Sequence, residues 1–305
     1  MKKTLWFGLF AAANFAAFGQ PVKKTPALTN TLLWRISGKN ITPSYLFGTM
    51  HMLCADDIQL SDSLTNAIQK AGNVYLELDM DNIFEMMSAM TKMKMRNDTT
   101  LADLLTKDEY EKVKTYFKEN SGMVPFSMLE TYKPLLAASM IMEQQGGQCD
   151  NMISMEQLIM QEAKKNDVKI KGMETMEYQL SIFDSIPYGF QAKQLVKMVE
   201  DGDKDNASEM KEVTDAYRNQ QLNKMEELTK KEDMGIKSFA NLLLYNRNAN
   251  WAKKLEGLLT DKSLVIAVGA GHLPGEKGVI NLLRKAGYKV EPVKNDMIKK
   301  KTKEI

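Results

Sequence analysis

The strand-forming runs of this chain gather near its two ends, and the long stretches between them carry helical spacing of apolar residues. Leu32-Leu33-Trp34-Arg35-Ile36 and Ser44-Tyr45-Leu46-Phe47, joined by Ser37-Gly38-Lys39-Asn40, read as a hairpin. A helix capped by Ser61 and stopped at Gly72 leads to a strand over residues 74–78. Residues 81–144 read as helix, broken near 97–100, 120–125 and Pro134. A helix over 155–165 and a strand over 168–171 follow, and residues 187–260 read as long helices. The chain closes with a strand over 264–268, a helix over about 275–286 and a strand over 289–293. This order predicts an α/β fold: a central mixed sheet built from the N- and C-terminal segments, with a large helical insertion over about residues 81–260.

The first 19 residues read differently. Lys2 and Lys3 precede an apolar run from Leu5 to Phe18, and Ala17-Phe18-Gly19 places small residues where a signal peptide is cut. The run is shorter than the ~20 residues that a membrane span needs, so residues 1–19 are expected to be a secretory signal and the protein to be periplasmic or secreted. Residues 20–31, polar and proline-bearing, are expected to be a linker. A single domain is expected over 32–293, and the lysine-rich 294–305 is expected to be a solvated basic tail. Cleavage removes two lysines and no acid, which leaves acidic and basic side chains equal in number. Such a chain has no electrostatic footprint for nucleic acid, and the mature part contains no apolar stretch of membrane length. Export also permits a disulfide between Cys54 and Cys149, although two buried thiols are equally compatible with the sequence.

The whole chain has two histidines. His51 closes Gly48-Thr49-Met50-His51 and His272 closes Gly269-Ala270-Gly271-His272, each directly after an apolar strand. With 18 glycines in 305 residues, a histidine has glycine three positions before it about 6% of the time by chance, so the pair is a signal where one copy is noise. Strand, motif, helix, Lys-Ala-Gly and strand recur at 45–78 and 264–293, a pattern compatible with an old duplication or with chance. Loops leaving the carboxyl ends of strands in an open α/β sheet converge on a crevice, and a glycine there lets the backbone swing a side chain into it. Glu77, at the end of the strand after His51, is placed to reach the same crevice. Two imidazoles and a carboxylate make a first shell for a divalent ion, zinc included. The competing reading makes both histidines buried turn caps and Glu77 a salt-bridged edge residue.

These blocks, taken with Tyr75-Leu76-Glu77-Leu78-Asp79, Gly172-Met173-Glu174-Thr175 with Glu177 and Gln179, Arg247-Asn248 with Trp251, and Leu273 with Gly275 and Gly278, resemble the ordered signature of the TraB/PrgY/GumN family, which includes the Tiki metalloproteases. The resemblance runs from about residue 32 to 293. It implies a fold of the ChaN-like and erythromycin-esterase (EreA-like) type, and metal-dependent cleavage of a peptide or protein substrate with manganese or cobalt as the ion. Carried over by motif, His51, Glu77 and His272 are the candidate metal ligands. Glu77, Glu174, Arg247 and Asn248 are the candidate catalytic groups.

Chemistry suggests roles. A metal-activated water attacks a polarised carbonyl, with the carboxylate outside the metal's shell as general base. Arg247 either holds an oxyanion or forms a buried structural ion pair. Asn248 is expected to cap or orient it, and Trp251, one helical turn on, is read as packing. Ile83, Met86, Met90 and Met93 share one helical face, which suits a plastic apolar surface lining a groove for extended peptide. Two rival functions remain: a metal-free esterase-like hydrolase in which histidine activates water, and a haem- or ligand-binding protein with the histidines as axial groups.

Overall fold

The unbroken apolar run from Leu264 to Val268 is buried on both faces, as the interior strand of a parallel sheet must be. In the computed structural model, which describes residues 28–120, 125–145, 149, 151–231 and 236–299, eight strands form: β1 (Leu33–Ser37), β2 (Ser44–Thr49), β3 (Leu53–Cys54), β4 (Asn73–Leu76), β5 (Met152–Ile153), β6 (Lys169–Gly172), β7 (Leu264–Gly269) and β8 (Lys289–Val293). Six make one mixed sheet in the order β6-β4-β7-β2-β1-β8. β6, β4, β7 and β2 run parallel, while β1 is antiparallel to both β2 and β8. Pro292 lies in β8, an edge strand, where its missing N–H costs no interior ladder bond. The fold is thus mixed α/β, with strands from both ends of the chain meeting at the centre of the sheet.

Register decides what the sheet presents. Gly48 pairs with Val268 and Thr49 with Gly269, so the two Gly-x-x-His loops leave the same edge of adjacent parallel strands. The loops after β4 and β6, carrying Glu77 and Glu174, leave that edge too. Crossover helices hold the parallel strands in place. The helix Asp62–Gln69 starts on the Ser61 hydroxyl, which accepts the Leu64 N–H at 3.2 Å, and buries Leu64, Ala67 and Ile68 at helical spacing. Ser154 caps the helix Met155–Lys165 in the same way and shares a capping box with Gln157.

Two apolar cores result. One joins the sheet to its crossover helices through Trp34, Phe47, Ile159, Tyr217 and Trp251. The other lies wholly among helices, around Leu101, Phe117, Ile141 and Leu195. The helical region is not continuous, because β6 returns to the sheet between its two parts. Among the described residues no helix is long and apolar enough to cross a membrane.

Residues 1–27 and 300–305, which hold the expected signal, most of the linker and the end of the tail, lie outside the described residues. What is described of linker and tail alternates exposed residues with a few that pack, Leu28, Thr31, Asn295 and Met297. The Leu28 N–H donates to Asn223 Oδ1 at 3.0 Å, Asn295 bonds Ser61 and Gln220, and Met297 is buried. The tail is held because its polar groups complete those of the helix cap at Ser61. Cys54 and Cys149 form a disulfide with Cα atoms 5.9 Å apart.

Candidate active site

Glycine serves closeness rather than backbone swing at the two Gly-x-x-His motifs. Neither Gly48 nor Gly269 has a positive φ. A Cβ on Gly48 would stand 3.0 Å from the Ala270 Cβ and the Leu273 side chain, and one on Gly269 would stand 3.1 Å from Glu77 Oε1. The absence of a side chain at 269 lets its N–H donate to Glu77 Oε1 at 2.7 Å. The expected dihedral reason is therefore replaced by a steric one.

His272, on the single 3₁₀ turn Ala270–His272, is buried against the Trp251 indole, with ring centroids 4.6 Å apart. Its Nδ1 lies 2.6 Å from Asn248 Oδ1. The Asn248 amide donates its N–H to the Lys277 carbonyl at 2.9 Å, which aims the oxygen at the ring. On the other side, Arg247 Nη1 stands 3.2 Å from Nε2 and can only donate. Both neighbours therefore require the tautomer with hydrogen on Nδ1 and the lone pair on Nε2. Burial drives the His272 pKa down to about 4; Glu77 opposes this, and the charges of Arg247 and His51 add to it. The ring is neutral near pH 7.

Glu77 lies beside the same nitrogen, its Oε1 3.8 Å from His272 Nε2. Burial alone would raise its pKa, but His272, the Arg247 charge, the Gly269 N–H and the Arg247 hydrogen bond outweigh burial and hold it at about 2. Arg247 joins the two carboxylates: Nη2 donates to Glu77 Oε2 at 2.5 Å and to Glu174 Oε1 at 2.6 Å, and Nε donates to Glu174 Oε1 at 2.9 Å. Its guanidinium lies over the Trp251 ring, 4.8 Å from the centroid. A π-helical turn, Asn241–Tyr245, precedes it and supplies the Leu243 carbonyl to Nη1 at 3.0 Å.

Glu174 is saturated. Beyond the two Arg247 bonds it accepts from Gln179 Nε2 at 2.9 Å and from the Trp251 indole N–H at 3.0 Å. Gln179 also donates to Glu77 Oε2 at 3.1 Å. Trp251, read from the sequence as packing, both packs and donates. The sequence blocks that held Gln179 and Trp251 marked them; nothing local marked the pairing of Gln179 with Glu77 or of Trp251 with Glu174, which lie 102 and 77 positions apart.

His51 is placed differently. Its side chain is 73% exposed, and its Nδ1 lies 3.0 Å from Oε1 of Glu156, a residue the sequence did not single out. The structure thus brings Glu77, Glu174, Arg247, Asn248 and His272 into one bonded cluster, and sets His51 beside it on the neighbouring loop, near enough for its charge to act on His272. Burial works to raise the Glu156 carboxyl, while the His51 and Thr49 side chains and the backbone N–H of Glu156 hold it below the usual range.

As a place for a divalent cation, these donors have the right chemistry: two imidazoles engaged at Nδ1 and one ionised carboxylate. The spacing is looser. Among the described residues no three His, Cys, Asp or Glu side chains are close enough to share one ion, and the Arg247 guanidinium lies against both Glu77 and His272.

The chain is 22% identical over 317 residues to "Metalloprotease TIKI2" of Danio rerio, covering 86% of this chain and 61% of that protein. It is 24% identical over 317 residues to "Metalloprotease TIKI1" of Homo sapiens, with 86% and 62% covered, and 22% identical over 321 residues to "Metalloprotease TIKI homolog" of Nematostella vectensis, with 87% and 67% covered. The chain therefore spans about three fifths of the length of the first two relatives. No solved structure gives a significant match. The TraB/PrgY/gumN family model matches residues 32–292, from the start of β1 into β8, and the chain belongs to the TraB/PrgY/gumN family.

Proposed function

We propose that this protein is an exported, metal-dependent hydrolase of peptide bonds. One observation carries the reading: the His272 imidazole is buried and neutral, its Nδ1 held by Asn248 and its Nε2 beside Arg247 and the ionised Glu77, at the carboxyl ends of adjacent parallel strands where α/β sheets bind their ligands. Relatives named metalloproteases support it, and the disulfide supports export.

His272, Glu77 and His51 would hold the ion, for which manganese, cobalt and zinc all suit the donors. When bound, such an ion supplies a polarised substrate carbonyl and a water made acidic. The side chains divide the remaining work. With its carboxyl held at about 2, Glu77 suits holding positive charge and not taking up a proton near neutrality. Arg247 presents a fixed positive charge beside the His272 nitrogen, where it stabilises negative charge developing on a carbonyl oxygen. Glu174 and Trp251 hold Arg247, Gln179 holds the two carboxylates, and none of the three reacts.

A peptide substrate is supported by the helix Ile83–Met90. Ile83, Phe84, Met87 and Met90 are exposed there, a contiguous apolar surface of the kind that binds partners. Glu85 on this helix accepts the Met176 N–H at 2.7 Å, which ties the surface to the helix bearing Gln179.

The test is cleavage of an unstructured peptide library, read by mass spectrometry, by the purified chain. Chelation is expected to stop cleavage, added manganese or cobalt to restore it, and His272→Ala to abolish it. Cleavage that survives chelation, or a wild-type chain that binds no ion, would overturn the proposal.

A further inference from the structure

The helix Met176–Phe183 carries the Gln179 amide, which donates to Glu77 Oε2 at 3.1 Å and to Glu174 Oε1 at 2.9 Å and so bridges the two carboxylates of the site. A helix begins with N–H groups that lack partners and ends with carbonyls that lack them, and its dipole favours an anion at the start and a cation at the end. Both ends of this helix are served in that sense by distant side chains. At the start, Glu85 Oε1 accepts the Met176 N–H at 2.7 Å. At the end, Lys133 Nζ donates to the Leu180 carbonyl at 2.8 Å and pairs at 3.0 Å with Asp184, the residue that closes the helix.

The two holding residues come from the helical segment between β4 and β6, 91 and 47 positions from their partners. On the helix Ile83–Met90, Glu85 and Ala89 are the residues that are not exposed; one turn apart, they mark the face turned toward Met176–Phe183. The Lys133 side chain is 1% exposed, and a charge so far from water must be paired. Its partner Asp184 is fixed in turn by the Tyr188 hydroxyl and by Arg96 Nη2 at 3.0 Å. Register matters between these two ends: a slip of one residue turns a helix by about 100° and moves it by about 1.5 Å, which would take the Gln179 amide off both carboxylates.

We propose that Glu85 and Lys133 are positioning residues. They set the rotation and height of the helix Met176–Phe183, and through it hold the Gln179 amide between Glu77 and Glu174. The placement stands on the bonds above; its value for catalysis rests on the metal-dependent reading.

Exchange of the Gln179 side-chain amide hydrogens with water, followed by nitrogen-15 NMR of the metal-free chain and assigned by loss of signal in Gln179→Ala, reads the placement directly. Glu85→Ala is expected to speed that exchange by about tenfold, while the backbone amides of β7 exchange as in the wild type. Glu85→Gln keeps a carbonyl that can accept the Met176 N–H and is expected to restore slow exchange. Lys133→Met is expected to act like Glu85→Ala; if it does not fold, Glu85→Ala alone decides. Unchanged Gln179 exchange in Glu85→Ala overturns the proposal, and so does a rise shared equally by β7, the mark of a merely structural loss. If the metal reading also holds, manganese-loaded Glu85→Ala is expected to cleave peptide with a kcat about tenfold lower. An unchanged kcat beside faster exchange overturns the catalytic part. A wild-type chain that cleaves no peptide, yet shows the exchange pattern, counts against the hydrolase reading and not against the placement of Gln179.

Discussion

His272 and Asn248 are joined ring nitrogen to amide oxygen at 2.6 Å, and the Lys277 carbonyl fixes the amide at 2.9 Å. Asn248 thus acts on the imidazole and not, as the sequence suggested, on Arg247. Asn248→Ala is expected to free the tautomer and to lower metal affinity and kcat/KM by about 10- to 100-fold, with circular dichroism unchanged. Titration calorimetry and single-turnover cleavage check it; wild-type values would contradict the assignment.

Arg247 forms the buried ion pair that was one of its two sequence readings, and its guanidinium also lies 3.2 Å from His272 Nε2. Removing it strands two carboxylates, Glu77 and Glu174, that are themselves shielded from water. Arg247→Ala is expected to cost about 3–5 kcal/mol in urea unfolding. Adding Glu174→Gln to that variant is expected to recover part of the loss. Lysine is no substitute, since it lacks the fork that reaches both acids at once.

Acid should destabilise the fold in two steps. His272 has a folded pKa of about 4, below its ordinary 6.5, so the unfolded chain takes the proton first and stability falls as pH drops from 6.5 toward 4. Glu77 has a folded pKa of about 2, below its ordinary 4.5, so its contribution is complete above 4.5 and is lost as pH drops toward 2. Each step is on the order of 3 kcal/mol. Urea midpoints measured from pH 8 to pH 3 are expected to fall from the first step onward, and a flat profile between 6.5 and 4 would contradict the buried neutral ring. In His272→Gln the first step is expected to vanish.

Reduction should loosen the loop that carries His51. The Cys54–Cys149 bridge spans 95 positions of sequence, and its loss is expected to lower stability by about 2–5 kcal/mol. Hydrogen exchange is expected to rise at residues 50–55 and 151–155, where the bridge clamps β3 to β5, before it rises in β7.

Periodicity made the sheet legible. The strand over 289–293 and the helix over 155–165 match the observed bounds, and the apolar run over 264–268 forms all but the last residue of β7, because burial on one or both faces writes itself into local pattern. Family-like blocks located Glu77, Glu174, Arg247, Asn248 and His272. Glu156 stayed hidden, since its partner lies 105 positions away and a glutamate after a serine cap looks like ordinary helix chemistry. The contrast between the histidines was hidden as well. Identical Gly-x-x-His spacing leaves one ring buried and the other exposed, and that difference comes from what packs above each loop: Trp251 over His272, and the start of the helix Met155–Lys165 beside His51.

The central claim is that the two imidazoles and Glu77 serve one ion. Anomalous diffraction at the manganese edge, from crystals of the manganese-loaded chain, tests it directly. One strong peak is expected within ligating reach of His272 Nε2, His51 Nε2 and a Glu77 oxygen. A peak elsewhere, or none with Arg247 still lying between Glu77 and His272 at saturating manganese, would contradict it.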